Sequence, residues 1–419
     1  MSKLTWARAL VALTAVGCGN GETPAAASGG GGSGSACPKP GISKRPWTLG
    51  IDETSARLRW EACADTASRD VELTPEAGGA AQTFTATSTA FTIDNTYYAP
   101  FNADAPADEA GTYFNRQALL TGLTAGTCYR YRVGGSDAHA GRFCTARAPG
   151  SSFRVLAMAD TNPGLGDATK RLLAVADELD YDFSIHAGDV QYYASGFDTW
   201  VYWFAALAPM LRQGAFYPSI GNHELENDDE YDQYYLRFFD KAGFGGTDAY
   251  YRVDSGGVSF FTLNTEATLD AASEQLGWFK GEIAAAKARP GYRFSVVYFH
   301  KPFITCGDKS QNSSARQLFE PLFEEHGVAL VVQGHMHGYE RFEVPLSDPT
   351  KTITYLTVGG GGGLLGDIDA NADRPVCAQR KSHGKFHHMA LLEITASGLA
   401  GRVFDPDGVT RDEFDIPSP

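Results

Sequence analysis

Along the chain the pattern of apolar and polar positions changes character near Pro149. From residue 37 to about 148, apolar and polar residues alternate in short runs. Examples are Ala56-Arg57-Leu58-Arg59-Trp60 and Tyr129-Arg130-Tyr131-Arg132-Val133, separated from their neighbours by Gly, Pro and Asp. Such alternation marks half-buried strands and predicts a small β-sandwich. From residue 149 to the C-terminus, wholly apolar runs alternate with longer segments of helical period, the signature of an α/β sheet domain. Strands are predicted over 153–159, 183–187, 216–220, 294–299 and 328–333, and helices over 167–179, 197–211, 271–287 and 315–326. Three more apolar runs, 352–358, 388–394 and 398–404, read as strands closing the sheet.

What ends the predicted strands carries the chemistry. The first runs into Asp160, the second into Gly188-Asp189-Val190-Gln191-Tyr192, and the third into Gly221-Asn222-His223-Glu224. The fourth ends at His300 and the fifth at Gly334-His335-Met336-His337. Polar residues at the carboxyl ends of neighbouring strands converge on one rim of a sheet, where ligands bind. Each motif alone is common in proteins without metals; five in this order point to one metal site.

At 419 residues with 43% hydrophobic content, the chain can bury a large core. Its net charge of -15 and pI near 5.1 exclude a nucleic-acid-binding surface, which needs clustered Lys and Arg. An acidic protein repels phosphate esters at long range, so attraction to such a substrate must come from a local cation.

The N-terminus reads as an export signal over 1–18, with Lys3 and Arg8 ahead of a short apolar stretch ending at Gly17-Cys18. That end resembles the bacterial lipoprotein cleavage box, although Ala15 stands where the pattern prefers Leu, so Cys18 is expected to carry a lipid. Residues 19–36, almost all Gly, Ala, Ser, Thr and Pro, form a flexible tether. The expected location is the bacterial cell envelope as a lipoprotein, otherwise the periplasm or outside the cell. Six further cysteines in an exported chain imply disulfides, and we take Cys37 with Cys63, Cys128 with Cys144, and Cys306 with Cys377.

Taken together, the five motifs resemble those of the purple acid phosphatases, members of the calcineurin-like metallophosphoesterase superfamily. Tyr339-Glu340-Arg341 continues the likeness, and the stretch 120–131 resembles late strands of a fibronectin type III module. The fold the resemblance implies is a metallophosphoesterase β-sandwich flanked by helices over 149–419, preceded by a fibronectin type III-like sandwich over 37–148. It further implies a binuclear centre, with iron(III) on Asp160, Asp189, Tyr192 and His337. A divalent iron, zinc or manganese is implied on Asp189, Asn222, His300 and His335, with Asp189 bridging. Ligand chemistry agrees with that division, since the oxygen anions of Asp160 and Tyr192 suit a trivalent ion and two imidazoles a divalent one.

The activity so implied is hydrolysis of a small phosphate monoester by a metal-bound hydroxide. His223 is expected to bind phosphate or protonate the leaving oxygen, with Glu224 orienting it, and Lys309 to contact substrate phosphate. Asn162 replaces a glycine usual in the family, at a position expected to need a left-handed backbone. Two other functions share these features: a phosphodiesterase acting on nucleotides or phospholipids, and a surface-anchored binding protein with an inactive metal site.

Other features read as structural. His139 and His326 are expected at the surface, His186 packed in its strand, and His383, His387 and His388 structural by default. Gly359 to Gly363 lacks the Lys and helix of a phosphate loop and reads as a turn beside the site. Tyr193 is set aside in favour of Tyr192, Trp200 to Phe204 reads as a buried helix face, and 224–230 as a solvated acidic loop.

Overall fold

The computed structural model describes residues 41–93, 111–192, 197–225, 235–240, 245–247 and 249–418. The predicted export signal, Cys18, the tether, Cys37, Tyr193 and most of the acidic loop lie outside these.

Wholly apolar runs become central strands because both of their faces are covered. Strand Phe294–Phe299 is buried at every position, and so is Val328–Gln333. They belong to an eight-stranded sheet in which Val258–Thr262, Phe294–Phe299, Val328–Gln333 and Thr352–Val358 run parallel. A ten-stranded sheet contains the second parallel set, Phe153–Met158, Phe183–His186 and Ala215–Pro218. The two sheets meet through aromatic side chains: Phe260 lies edge-on to Phe183 at 5.2 Å and to Phe153 at 6.2 Å. Each such ring removed from water contributes roughly 1.5–3 kcal/mol.

Helices cover the outer faces where the helical period predicts them. Glu274–Lys287 and Ser313–His326 pack on the eight-stranded sheet through Phe279, Phe319 and Phe323. Their N-termini are capped by Ser273 and Asn312, whose side chains accept from Leu276 N and Ala315 N. Helix Phe197–Leu211 buries Trp200, Trp203 and Phe204 against Trp47, Phe238 and Phe239, as a core face rather than a cofactor box. Strands Tyr251–Ser255, Arg380–Gly384 and Thr410–Pro417, not foreseen from the pattern, widen the two sheets.

The N-terminal residues do form an all-β layer pair. A four-stranded sheet, 82–85, 70–75, 128–133 and 136–144, accompanies strands Ile42–Leu49, Ser55–Ala62, Gly111–Thr121 and Thr87–Ile93. The second group is continuous with the ten-stranded sheet, because Thr48 pairs in parallel with Ala215. Cys128 is bonded to Cys144 and Cys306 to Cys377; Cys63 is also disulfide-bonded.

Candidate metal centre

Each of the two sheets delivers strand ends to one place. Asp160, Asp189 and Asn222 follow strands of the ten-stranded sheet, and His300, His335 and His337 follow strands of the eight-stranded one. Turning the chain so sharply strains it. Asp160, Asp189 and His335 are the only non-glycine residues with positive φ among those described, at 58°, 49° and 66°. Such conformations cost on the order of 1–3 kcal/mol each and persist where surrounding structure over-determines them. Here all three are candidate ligands. Close approach also demands Gly221, where a Cβ would lie 2.2 Å from Asp189 Oδ1.

His300 anchors the first group. Its Nδ1 lies 3.0 Å from the carbonyl of Ala187, to which it can only donate, so in the neutral ring it is Nε2 that presents a lone pair to the pocket. That lone pair faces Asn222 Oδ1, His335 Nδ1 and Asp189 Oδ2, each at 3.1 Å. Four electron-rich atoms at such separations repel one another unless a cation lies among them. Donors held about 2.1 Å from one ion at right angles to each other are about 3.0 Å apart, so the spacing fits a metal.

The second group repeats the device. His337 Nδ1 lies 2.7 Å from the carbonyl of Leu364, leaving Nε2 3.0 Å from Asp160 Oδ1 and 2.7 Å from the Tyr192 hydroxyl. Tyr192 in turn donates to Asp160 Oδ1 at 3.1 Å. Single ligand atoms of Asp160, Asp189 and His337 lie within 4.8 Å of one another, as do those of Asp189, His300 and His335. Asp189 is common to both trios. A third such trio, Cys128, Cys144 and Asp182, offers nothing to a metal because its sulfurs are bonded to each other.

The charges say the same. Burial opposes ionisation of Asp189, yet His300 and His223 outweigh it and its carboxyl is held below the usual range. Burial likewise disfavours His300⁺, but Asp189 and Asp160 push its pKa up to about 10. Burial and that positive charge drive His335 down to about 3. Burial, Asp160 and Asp189 hold Tyr192 well above an ordinary phenol. Without a metal, a proton on His300 answers a demand for positive charge that the pocket creates. These groups therefore fit a pair of cations, and a strongly Lewis-acidic one is needed to ionise Tyr192.

Glu224 departs from expectation. It is fully buried, and its carboxylate accepts from the amides of Asp189, Val190, Gln191 and Gly221 at 2.7–3.4 Å. It holds the ligand-bearing turns, not the His223 ring, and it is not part of a solvated loop. His223 donates its backbone N–H to Asp189 Oδ1 at 2.9 Å and rests its ring on Tyr192, with centroids 4.1 Å apart. Asn162 does not adopt the left-handed backbone expected of it; Asp160 itself makes the turn, and the Asn162 amide donates to Thr169 Oγ1.

Lys309 is half-buried, and its charge acts on both His335 and His337. Lys301, which the motifs did not single out, also acts on His335 while paired with Glu266 at 2.5 Å. Its position directly after His300 is the one signal that could have found it. His186 is buried and bonded to Thr161, and His388 lies between the carbonyls of Phe386 and Thr357. His387 bonds to Gly360, and His383 faces Asp369. His139 and His326 are half-buried rather than exposed, because strand and helix neighbours cover part of each ring. In the Gly359 to Gly363 turn, Gly361 and Gly363 donate to the carbonyls of Ala159 and Asp160, so those amides are not available to a phosphate.

Residues 153–339 match the calcineurin-like phosphoesterase family, the class that the two-sheet fold and this site define. The preceding residues, 47–152, match the purple acid phosphatase N-terminal domain, and the chain is similar to curated purple acid phosphatases. It is 27% identical over 256 residues to purple acid phosphatase 22 of Arabidopsis thaliana, a match covering 58% of each chain. It is 26% identical over 258 residues to the probable purple acid phosphatase 20 of the same plant, covering 58% of this chain and 60% of the relative. The matches thus span under two thirds of the length of these relatives. Among solved structures, a purple acid phosphatase from yellow lupin seeds shares the fold at TM-score 0.72 and 18% identity, over 89% of this chain and 74% of that one. PhoD does so at 0.60 and 12%, over 89% and 92%.

Proposed function

We propose that the chain is an exported acid phosphatase that hydrolyses phosphate monoesters at a binuclear metal centre. Its catalytic domain is 149–419, behind a β-domain over 37–148 of fibronectin type III type. The observation that carries this reading is the pair of histidines, His300 and His337, each pinned through Nδ1 to a backbone carbonyl so that Nε2 faces buried carboxylates. Asp160, Asp189, Tyr192 and His337 are the residues to hold iron(III). Asp189, Asn222, His300 and His335 would hold a divalent iron, zinc or manganese ion. When bound, such cations neutralise phosphate oxygens and lower the pKa of water.

The chain's own residues supply the rest. Glu224 keeps the turns at 189–191 and 221 in register for the ligands. His223, fixed by its own backbone and by Tyr192, stands at the rim where a leaving oxygen would accept a proton. Lys309 adds a positive charge beside His335 and His337, suited to a phosphate oxygen. Export is supported by the disulfides, and no helix among the described residues is long and apolar enough to cross a membrane. A lipid on Cys18 would tether the protein to the envelope.

The test combines metal analysis, a visible spectrum and two substrates. Iron with a divalent partner, a phenolate-to-iron colour and faster hydrolysis of a monoester than of a diester are the expected results. A colourless protein with zinc or manganese at both positions and a preference for the diester would overturn the monoesterase reading; a protein that takes up no metal would overturn both.

A further inference from the structure

Behind the candidate ligands lies a buried polar cluster that the chemistry above does not use. Thr161 directly follows Asp160, His186 ends strand Phe183–His186, and Trp203 belongs to helix Phe197–Leu211; all three are fully buried. The Thr161 hydroxyl lies 2.6 Å from the carbonyl of Val190, 3.1 Å from His186 Nε2 and 3.3 Å from Trp203 Nε1. Their roles are forced. A carbonyl only accepts and an indole N–H only donates, so the single hydroxyl proton goes to Val190 and the oxygen accepts from Trp203. His186 must then also donate, from Nε2. Its Nδ1 has no hydrogen-bond partner, so the polar work of this imidazole is to hold Thr161.

Val190 sits in the turn that carries Asp189 and Tyr192, so the hydroxyl ties the loop of one candidate ligand to the loop of two others. Two backbone bonds run beside it, from Asp160 N to Gly188 O at 3.1 Å and from Thr161 N to Asp189 O at 3.2 Å. Asp160 and Asp189 both have left-handed backbones here, with φ of 58° and 49°. Such a backbone persists only where its surroundings over-determine it. Any residue at 161 could donate its amide, but the bond to Val190 belongs to the threonine side chain. The wall around the cluster is otherwise apolar: Trp203 packs on Phe216 and Phe239, with centroids 5.5 and 5.6 Å away, and His186 on Phe216 at 5.7 Å. Polar groups set into such a wall cost desolvation that hydrocarbon would avoid, so packing alone does not account for them.

We propose that Thr161 is a positioning residue of the metal centre, whose hydroxyl, oriented by His186 and Trp203, holds Asp160 in place against the 189–192 turn. The inference rests on the binuclear reading and deepens it. The spacing it governs is that of Asp160 Oδ1 and the Tyr192 hydroxyl, 3.1 Å apart. Asn222, His300 and His335 arrive from other strands, so the effect is confined to the ion on the Asp160 and Tyr192 side.

The experiment uses the full chain loaded with metal, as wild type, Thr161→Val and Thr161→Ser. Transfer of metal to dipicolinate is timed by elemental analysis, with the visible spectrum, circular dichroism and Tm recorded alongside. Valine keeps the shape and removes the hydroxyl; serine keeps the hydroxyl. In the valine variant one ion per chain should leave on the order of tenfold faster, the other at close to the wild-type rate. Any phenolate-to-iron band should shift, and serine should restore both rate and band. A wild-type release rate in the valine variant, equal acceleration of both ions, or no rescue by serine overturns the inference. If the valine variant does not fold, Trp203→Phe decides, because it removes the Nε1 donor and keeps a ring beside Phe216: faster loss of one ion supports the inference and unchanged release overturns it. A wild type that takes up no metal overturns the phosphatase reading, and this inference with it.

Discussion

Two buried charge clusters in this protein are built on opposite plans. In the N-terminal region Glu61 is fully buried and paired with Lys44 at 2.6 Å and with Arg237, both also buried. Burial alone would raise its pKa, but Arg237 and Lys44 outweigh it and hold it near 2. At the other cluster Asp160, Asp189 and Glu224 are equally buried, yet among the described residues none is ion-paired with Lys or Arg. Histidines and backbone amides stand around them instead. A cluster that serves the fold carries its own counter-ions; the second leaves the positive charge to be supplied from outside, which is what a metal site requires.

Several substitutions would break or sharpen this contrast. Loss of a residue that merely orients a metal ligand costs roughly 10–100-fold in affinity or activity, so Asp189→Ala, which removes the carboxylate common to both groups, should exceed that range. Metal content per chain and kcat would both collapse while circular dichroism stays native; full metal occupancy would show that Asp189 is not shared. Glu224→Gln should fall within the same range, since an amide cannot accept from four backbone amides as a carboxylate does. The diagnostic readout is weaker metal binding with an unaltered pH profile. A shifted profile at full metal loading would instead return Glu224 to a role on His223.

Glu61→Gln should leave metal binding alone and lower stability by about 3–5 kcal/mol, because a buried carboxylate facing two buried cations loses its charge. Its pH signature has a definite sign. With a folded pKa of about 2 against 4.5 for the free carboxyl, the stabilisation is complete above 4.5 and is lost as pH falls toward 2. Denaturant midpoints from pH 6 to pH 3 should therefore fall more steeply in wild type than in the variant, and parallel curves would refute it. The smallest effect belongs to Lys309→Ala, expected to weaken inhibition by inorganic phosphate a few-fold, with unchanged inhibition counting against a contact.

Much of this was legible in the chain before folding. Strands 294–299 and 328–333 and helix 197–211 are observed at the predicted bounds, since continuous apolar runs and a strong helical period leave little choice. The ligand candidates could be picked out because each sits where an apolar run stops. Less local features were hidden. Nothing around Asp160 announces a left-handed backbone, and the expectation fell on Asn162 because Asn tolerates that conformation better, although the strain sits two residues earlier. Glu224 sits at the head of an acidic run that reads as solvated; only the approach of the 189–191 turn from another strand turns it into a buried acceptor.

By itself, then, the sequence determined the order of strands and helices, the chemical types available at the strand ends, and the acidity that makes a local cation necessary. Those follow from side-chain character and short-range periodicity. The tertiary structure decided that two different sheets meet at one rim, and that Ala187 and Leu364 aim the imidazoles of His300 and His337. Such relations join residues far apart in the chain, and they exist only once the core has paid the entropy of bringing distant segments together.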